Sequence, residues 1–113
     1  MSDQESIEAE TLGIEDLETR LASAHSAAKT GDRVLAERLY LEIVASGVSD
    51  VRAYCNLGVL ALLEKRSGEA VRWLEQAVQA DPDHARSHLN LGMALQLEQR
   101  TEEAITVLRR AVS

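Results

Sequence analysis

Two asparagines stand in nearly identical settings, Asn56 in the stretch CNLG and Asn90 in the stretch LNLG, 34 positions further along. A carboxamide side chain has two N–H donors and a carbonyl acceptor, so it can pair with the backbone of another polypeptide regardless of that polypeptide's sequence. A row of such amides at a fixed spacing could hold a peptide. In the alternative interpretation, both amides bond between neighbouring helices of the fold, and the residues alone leave the two open.

Three further residues could carry chemistry, but each lacks companions. His84 and His88 are spaced i, i+4, as in many metal sites, yet no third ligand is evident, so we expect a packed or solvated pair. Cys55 has no base or orienting partner near it in sequence and is expected to be a small structural residue. The sequence contains no phosphate loop, catalytic triad or paired acidic site. We therefore predict no catalytic residue, no metal and no cofactor.

Length and composition limit the class of protein. A chain of 113 residues has room for one domain, and with no Phe and 3% aromatic residues its core must come from aliphatic side chains, which favours packed helices. A single cysteine fits a reducing compartment. No apolar run is long enough for a membrane helix, and the acidic start does not resemble a signal peptide. These features predict a cytoplasmic protein.

Charge is unevenly distributed along the chain. Residues 1–18 hold seven acids and no base, whereas the remainder is balanced, so the whole net charge of −7 lies at the N-terminus. This argues against nucleic acid or an anionic membrane as the partner of the body of the chain. We predict an acidic disordered tail over residues 1–13 and a single folded domain over 14–113.

An internal repeat organises that domain. Laying residues 51–79 over 85–113 without a gap gives 12 identities in 29 positions. A fixed period of this kind is typical of stacked repeats. The same register, extended backwards, predicts three units over residues 17–50, 51–84 and 85–113.

Each unit has the pattern of two helices joined by a short turn. In the second unit, apolar and small residues recur at helical spacing in two runs: Tyr54, Leu57, Gly58 and Ala61, then Ala70, Leu74 and Ala77. Gly68 lies in the polar turn, Pro82 ends the second helix and Asp83 is expected to cap the next one. Gly58 and Ala70 are small where the two helices should cross, which predicts close backbone packing there. Tyr40 and Trp73, both on second helices, are expected to be packing residues.

The chain resembles the tetratricopeptide repeat family, whose unit is a 34-residue helical hairpin. The matching residues are Leu57, Gly58, Ala61, Ala70, Leu74, Ala77 and Pro82 in the second unit, and Leu91, Gly92, Ala104, Leu108 and Ala111 in the third. The likeness covers about residues 17–113 and is loosest in the first unit, where Ala24 replaces the family's glycine. It implies an all-α, right-handed superhelical stack of three hairpins, an α-solenoid, with the last hairpin uncapped.

The resemblance also implies a function. Repeats of this kind are non-catalytic scaffolds in which the first helices of successive units line a groove for a peptide or a partner's helix. Carried over by register, the groove residues are Arg52, Cys55, Asn56, Val59, Leu63, Arg86, Leu89, Asn90, Met93 and Leu97. Glu18, Leu21, His25 and Lys29 of the first unit would extend it. The partner is therefore expected to be a protein or peptide, without nucleic acid or membrane.

Two alternatives remain open. The stretch also resembles the N-terminal arms of bacterial O-linked N-acetylglucosamine transferase-like and sulfotransferase-type proteins, which would make it the substrate-binding or partner-binding arm of a larger enzyme. The other alternative is a self-association module, since the end of a repeat stack leaves a face unburied. That hypothesis predicts a homodimer through the C-terminal face, with Leu91, Leu95 and Leu108 near it.

Overall fold

The computed structural model describes the backbone of residues 2–112 and the side chains of residues 16–112, and over this range all regular structure is α-helical. The six helices are α1 (Ser2–Lys29), α2 (Arg33–Ala45), α3 (Val51–Leu63), α4 (Ser67–Ala80), α5 (Ala85–Leu97) and α6 (Thr101–Val112). They pack as three hairpins, α1 with α2, α3 with α4 and α5 with α6. Each hairpin also packs on the next one through its second helix, which confirms the predicted all-α solenoid of helical hairpins.

The side chains of the predicted tail, residues 1–13, lie outside the described part of the chain. As described, α1 begins at Ser2 and so includes most of the segment 1–13. No side chain before residue 16 is described. The disorder of that segment, and the division of the chain at residue 14, stay predictions.

The core consists of two clusters of buried aliphatic residues, and α3 belongs to both. The first cluster joins α1, α2 and one side of α3, including Ala53, Leu57 and Leu60. The second joins the other side of α3, through Cys55 and Ala61, to the three helices that follow. Burial of α3 on two sides ties neighbouring hairpins into one stack, because neither cluster is complete without that helix.

Glycine is required where the helices of the second and third hairpins cross. A Cβ atom added to Gly58 would lie 2.5 Å from Cγ of Leu74, and one added to Gly92 would lie 2.5 Å from Cγ of Leu108. Non-bonded carbon atoms do not approach so closely, so the missing side chain lets the leucine pack on the backbone of the facing helix. The predicted role of Gly58 in close packing is confirmed.

Turns and caps repeat with the same period. The second residue after the first helix of each hairpin has a positive φ, 89° at Gly31 and 61° at both Lys65 and Gln99. The helix-capping prediction for Asp83 is wrong, because α5 begins one residue later and its cap is His84, whose Nδ1 accepts a hydrogen bond from the Ser87 N–H. The Asp83 backbone N–H instead donates to Asp81.

The residues expected near the end of the stack also need correction. Leu91 and Leu95 are only 6% and 2% exposed, because both point into the second core cluster. The apolar side chains that α6 exposes are Ile105 and Val112. Over the described residues, no helix has the length and apolar character needed to cross a membrane.

Candidate functional site

The first helices of the three hairpins present one shared surface, which we call the groove face and define by the outward residues of α1, α3 and α5. An open depression of about 360 Å³ lies on it. Its lining comes from four helices: Glu18, Leu21, Ala22 and His25 of α1, Tyr40 of α2, Arg52 and Asn56 of α3, and Arg86 of α5. Six residues predicted from the sequence repeat therefore meet at one place: Glu18, Leu21, His25, Arg52, Asn56 and Arg86.

The two asparagines lie half-buried on the groove face. The Asn56 Nδ2 donates to the backbone oxygen of Arg52 at 2.7 Å, and the Asn90 Nδ2 lies 3.9 Å from the sulfur of Cys55 on the neighbouring helix. Each amide thus uses one donor within the fold, which fixes its orientation. The carbonyl oxygen and the second N–H of each remain available for a ligand.

Arg52 is held by two carboxylates. Its guanidinium makes two hydrogen bonds to Glu18 of α1, at 3.0 and 3.2 Å, and two to Asp50, at 2.8 and 3.0 Å. Asp50 also caps α3 by accepting from the Arg52 backbone N–H. The hydrogen bonds from the Arg52 side chain lower the pKa of Asp50 below its ordinary value, since they favour the ionised carboxylate. The positive charge of Arg52 is therefore already neutralised within the protein.

Arg86 occupies the equivalent position on α5 but has different neighbours. One repeat before Arg52 lies the acid Glu18, whereas one repeat before Arg86 lies Arg52 itself. The helix of Arg52 is capped by Asp50, whereas the helix of Arg86 is capped by His84. Among the described side chains, Arg86 makes no hydrogen bond or ion pair. It is exposed at the rim of the depression, where its charge is open to a ligand.

Apolar residues line the other part of the groove face. Leu63, Leu89, Met93 and Leu97 are exposed, Leu97 most of all at 64%, and Val59 is half-buried. They recur at i, i+4 spacing along α3 and α5. Cys55 is 1% exposed, so in this conformation it reaches the groove face only through its contact with Asn90. We call the exposed set Leu63, Leu89, Met93 and Leu97 the apolar strip.

Two lining residues, Ala22 and Tyr40, were not predicted from the sequence as part of the groove, and Tyr40 is the one with a polar side-chain group. It is 1% exposed, as a packing residue should be, yet it lines the depression. Burial raises the pKa of its phenol, while the nearby positive charge of Arg86 opposes that shift. The sequence repeat could have identified Tyr40, because the equivalent residue of the next hairpin is Leu74. A tyrosine at a position where the repeat has leucine adds a hydroxyl group.

The other candidate residues have structural partners. His84 Nδ1 also lies 2.6 Å from the Ser87 hydroxyl, and His88 Nε2 lies 2.6 Å from the backbone oxygen of Pro82. Across the described residues, no group of three or more His, Cys, Asp or Glu side chains could hold a metal ion. Trp73 stacks on Tyr54 with ring centroids 6.2 Å apart, as expected of a packing residue.

Comparison with known families agrees with the geometry. The tetratricopeptide repeat model matches residues 21–85, and a second model described by the same name matches residues 61–113. The first match alone covers more than half of the chain. The chain therefore belongs to the tetratricopeptide repeat family, whose members act as protein-interaction scaffolds and whose repeat domains are generally non-catalytic. No curated protein sequence matches the chain.

Solved structures give the same fold. A mutant O-GlcNAc transferase of Thermobaculum terrenum is 31% identical over 85% of this chain, with a TM-score of 0.79, but the chain spans only 18% of that protein. The second repeat domain of Spaghetti, bound to an HSP90 peptide, is 17% identical over 85% of this chain and 89% of its own, with a TM-score of 0.81. A yeast Sti1 domain in complex with an Hsp70 peptide is 20% identical over 84% of this chain and 76% of its own, with a TM-score of 0.78.

Proposed function

We propose that this chain is a non-catalytic scaffold that binds a peptide or a partner's helix across the groove face. The observation that carries the proposal is the depression shared by α1, α3 and α5, in which residues from three successive hairpins meet. A ligand lying there would contact all three hairpins at once. Membership of the tetratricopeptide repeat family supports the same function.

The chemistry of the groove face suits a polypeptide. Asn56 and Asn90 offer amide groups one repeat apart, and these can pair with a peptide backbone. The side chains of the apolar strip are exposed, which gives a ligand apolar area to bury. Polar groups that fix the backbone together with apolar surface that provides affinity are the two requirements of peptide recognition.

A selection from random peptides tests the proposal directly. The folded chain is immobilised and challenged with a library of short random peptides, and one enriched peptide is then synthesised and titrated into the protein. We expect the double variant Asn56→Ala with Asn90→Ala to bind it at least about tenfold more weakly, since both backbone contacts are lost. Its melting temperature should stay close to that of the parent, because the two side chains are only half-buried.

The matched control removes two amides elsewhere. Gln76 and Gln79 are exposed on α4, outside the groove face, so Gln76→Ala with Gln79→Ala should leave the affinity unchanged. Equal binding by the asparagine and glutamine double variants would contradict the proposed pairing of Asn56 and Asn90 with the peptide backbone. Failure of the parent chain to enrich any peptide would contradict the scaffold function itself.

A second candidate function is the partner-binding arm of a larger glycosyltransferase-type enzyme. The specific observation is the 31% identity with the O-GlcNAc transferase of Thermobaculum terrenum, of which this chain spans only 18%. The peptide groove would then deliver a protein substrate to a catalytic domain. An immunoblot of the native source tests this proposal, because an endogenous product well above 12.4 kDa supports it and a product near 12.4 kDa contradicts it.

Self-association is a third proposal, carried by the apolar side chains that α6 exposes. Ile105 and Val112 could pair with the same residues of a second copy and so bury the end of the stack. Light scattering over a range of concentrations gives the mass in solution. A dimer that Ile105→Glu converts to monomer supports the proposal, and a monomer at every concentration contradicts it.

A further inference from the structure

The floor of the depression contains a polar group that the fold leaves without a partner. Tyr40 is 1% exposed, and within the described residues its hydroxyl makes no hydrogen bond. Among the described residues no buried side-chain nitrogen or oxygen atom lacks a hydrogen-bond partner, so the Tyr40 oxygen is accessible from the open depression and is not sealed in the core. Since Tyr40 lines the depression, a ligand atom in the depression can supply that partner.

The rim of the same depression contains a cation whose charge no described carboxylate neutralises. Arg52 and Arg86 both line it, but Arg52 is bonded to Glu18 and Asp50, whereas Arg86 makes no ion pair among the described side chains. One open positive charge matches one negative charge on a ligand. A phosphoryl group carries close to two negative charges and would be matched less well.

We propose that the depression binds one side-chain carboxylate of the peptide, which accepts hydrogen bonds from the Tyr40 hydroxyl and the Arg86 guanidinium. This inference rests on the scaffold function proposed above and specifies its ligand as a peptide with an internal Glu or Asp. Two features account for the preference for an acidic ligand. Tyr40 provides a hydroxyl at the position that Leu74 occupies in the next hairpin. Arg86 has no counterpart of Glu18 and Asp50, the two acids that neutralise Arg52.

The position of the depression favours an internal carboxylate over a chain terminus. Leu21 and His25 of α1 belong to its lining, and the apolar strip lies on α3 and α5, the helices that also contribute Arg52, Asn56 and Arg86 to the lining. A bound chain therefore has surface to contact both before and after its acidic residue. A C-terminal carboxylate would leave one of these two surfaces uncovered.

The test uses two random peptide libraries on the full chain. In one library both ends of each peptide are joined to a carrier, so that every carboxylate belongs to a side chain, and in the other the C-terminus is free. We expect the first library to yield peptides that share a Glu or Asp at one position. A synthetic peptide with blocked ends should then lose about tenfold in affinity when that residue is changed to its amide.

Protein variants connect the acid to its site. Tyr40→Phe and Arg86→Gln should each weaken binding of the acidic peptide about tenfold, and neither should change binding of the amide peptide, because the group they contact is gone. Arg72→Gln is the control, since Arg72 is an exposed arginine on α4 outside the groove face, and it should bind both peptides as the parent does.

Failure of the inference is distinguishable from failure of the scaffold function. Enriched peptides without a shared acid, enrichment from the free-terminus library alone, or an acidic peptide that binds Tyr40→Phe as tightly as the parent would each overturn the carboxylate site while leaving the scaffold function standing. No enrichment from either library would overturn both.

Discussion

The first and second hairpins fill equivalent positions in the core with different residue pairs. In the second, Gly58 lets Leu74 pack on the facing backbone, whereas in the first the corresponding residues are Ala24 and Tyr40, both almost fully buried. The substitution keeps the fold and changes the surface, because tyrosine is long enough to reach the depression with a polar group. In this repeat protein the recurring residues maintain the stack, and a departure from the repeat changes the polarity of the depression.

The same comparison applies to the arginines at equivalent positions of the second and third hairpins. Arg52 belongs to the structure, since two carboxylates hold it, while Arg86 is open to a ligand. Identical residues in identical registers therefore have different neighbours, and we propose a different role for each of the two arginines on that ground.

The largest expected effect on stability is the difference between substitutions at the equivalent residues Leu74 and Tyr40. Leu74→Ala should lower the free energy of unfolding by about 2–5 kcal/mol, because it leaves a cavity at a fully buried position. Tyr40→Phe keeps the ring and should change the free energy of unfolding by less than about 0.5 kcal/mol, since the hydroxyl makes no hydrogen bond within the described residues. Urea denaturation measures both, and a large loss in Tyr40→Phe would show that the hydroxyl has a structural partner.

The next effect tests the helix crossing of the second hairpin. Gly58→Ala should cost about 1–3 kcal/mol, because its Cβ would lie 2.5 Å from Cγ of Leu74. Gly68→Ala is the matched control, as its Cβ would meet nothing closer than 3.7 Å, and it should be neutral or stabilising by up to about 1 kcal/mol. In a Leu74→Ala background the cost of Gly58→Ala should fall, and an unchanged cost would rule out the contact.

A smaller effect distinguishes the turns of the three hairpins. Gly31, Lys65 and Gln99 share the positive φ, but only Gly31 adopts it without steric cost. Lys65→Gly and Gln99→Gly should each raise the free energy of unfolding by up to about 1 kcal/mol, whereas Gly31→Ala should lower it by a similar amount. Destabilisation by Lys65→Gly in thermal denaturation would contradict this account.

The smallest effect concerns the ion pair that distinguishes Arg52 from Arg86. Because the folded-state pKa of Asp50 is lowered, its stabilising contribution is present above the ordinary value of 3.8 and is lost as the pH falls through the folded-state pKa. The unfolding free energy of the parent should therefore fall with acid slightly more than that of Asp50→Asn, by less than about 1 kcal/mol. Parallel acid titrations of the two proteins would disprove the contribution.

The sequence predicts the fold well because the fold depends on periodic features. Gly58, Leu74 and Ala70 recur at helical spacing and in a fixed register, so the hairpins and their crossing could be read from them. The ends of elements were less predictable, since whether Asp83 or His84 caps α5 depends on where the preceding turn stops.

The site was only partly predictable for a related reason. Register places Arg52 and Arg86 together on the groove face, but only the packing of neighbouring helices shows that one is neutralised and the other is not. Tyr40 could be predicted as buried, yet its position in the lining of the depression depends on how four helices meet. Properties of single helices are readable from sequence, and properties of surfaces between helices need the structure.

The most direct test of the central claim is an NMR titration of the isotope-labelled chain with a peptide selected from the random library. A ligand on the groove face should shift the side-chain amide signals of Asn56 and Asn90 and the ring signals of Tyr40, while the amides of Gln76 and Gln79 on α4 stay in place. Shifts confined to α4 and α6, with Asn56, Asn90 and Tyr40 unmoved, would place the ligand elsewhere and contradict the account.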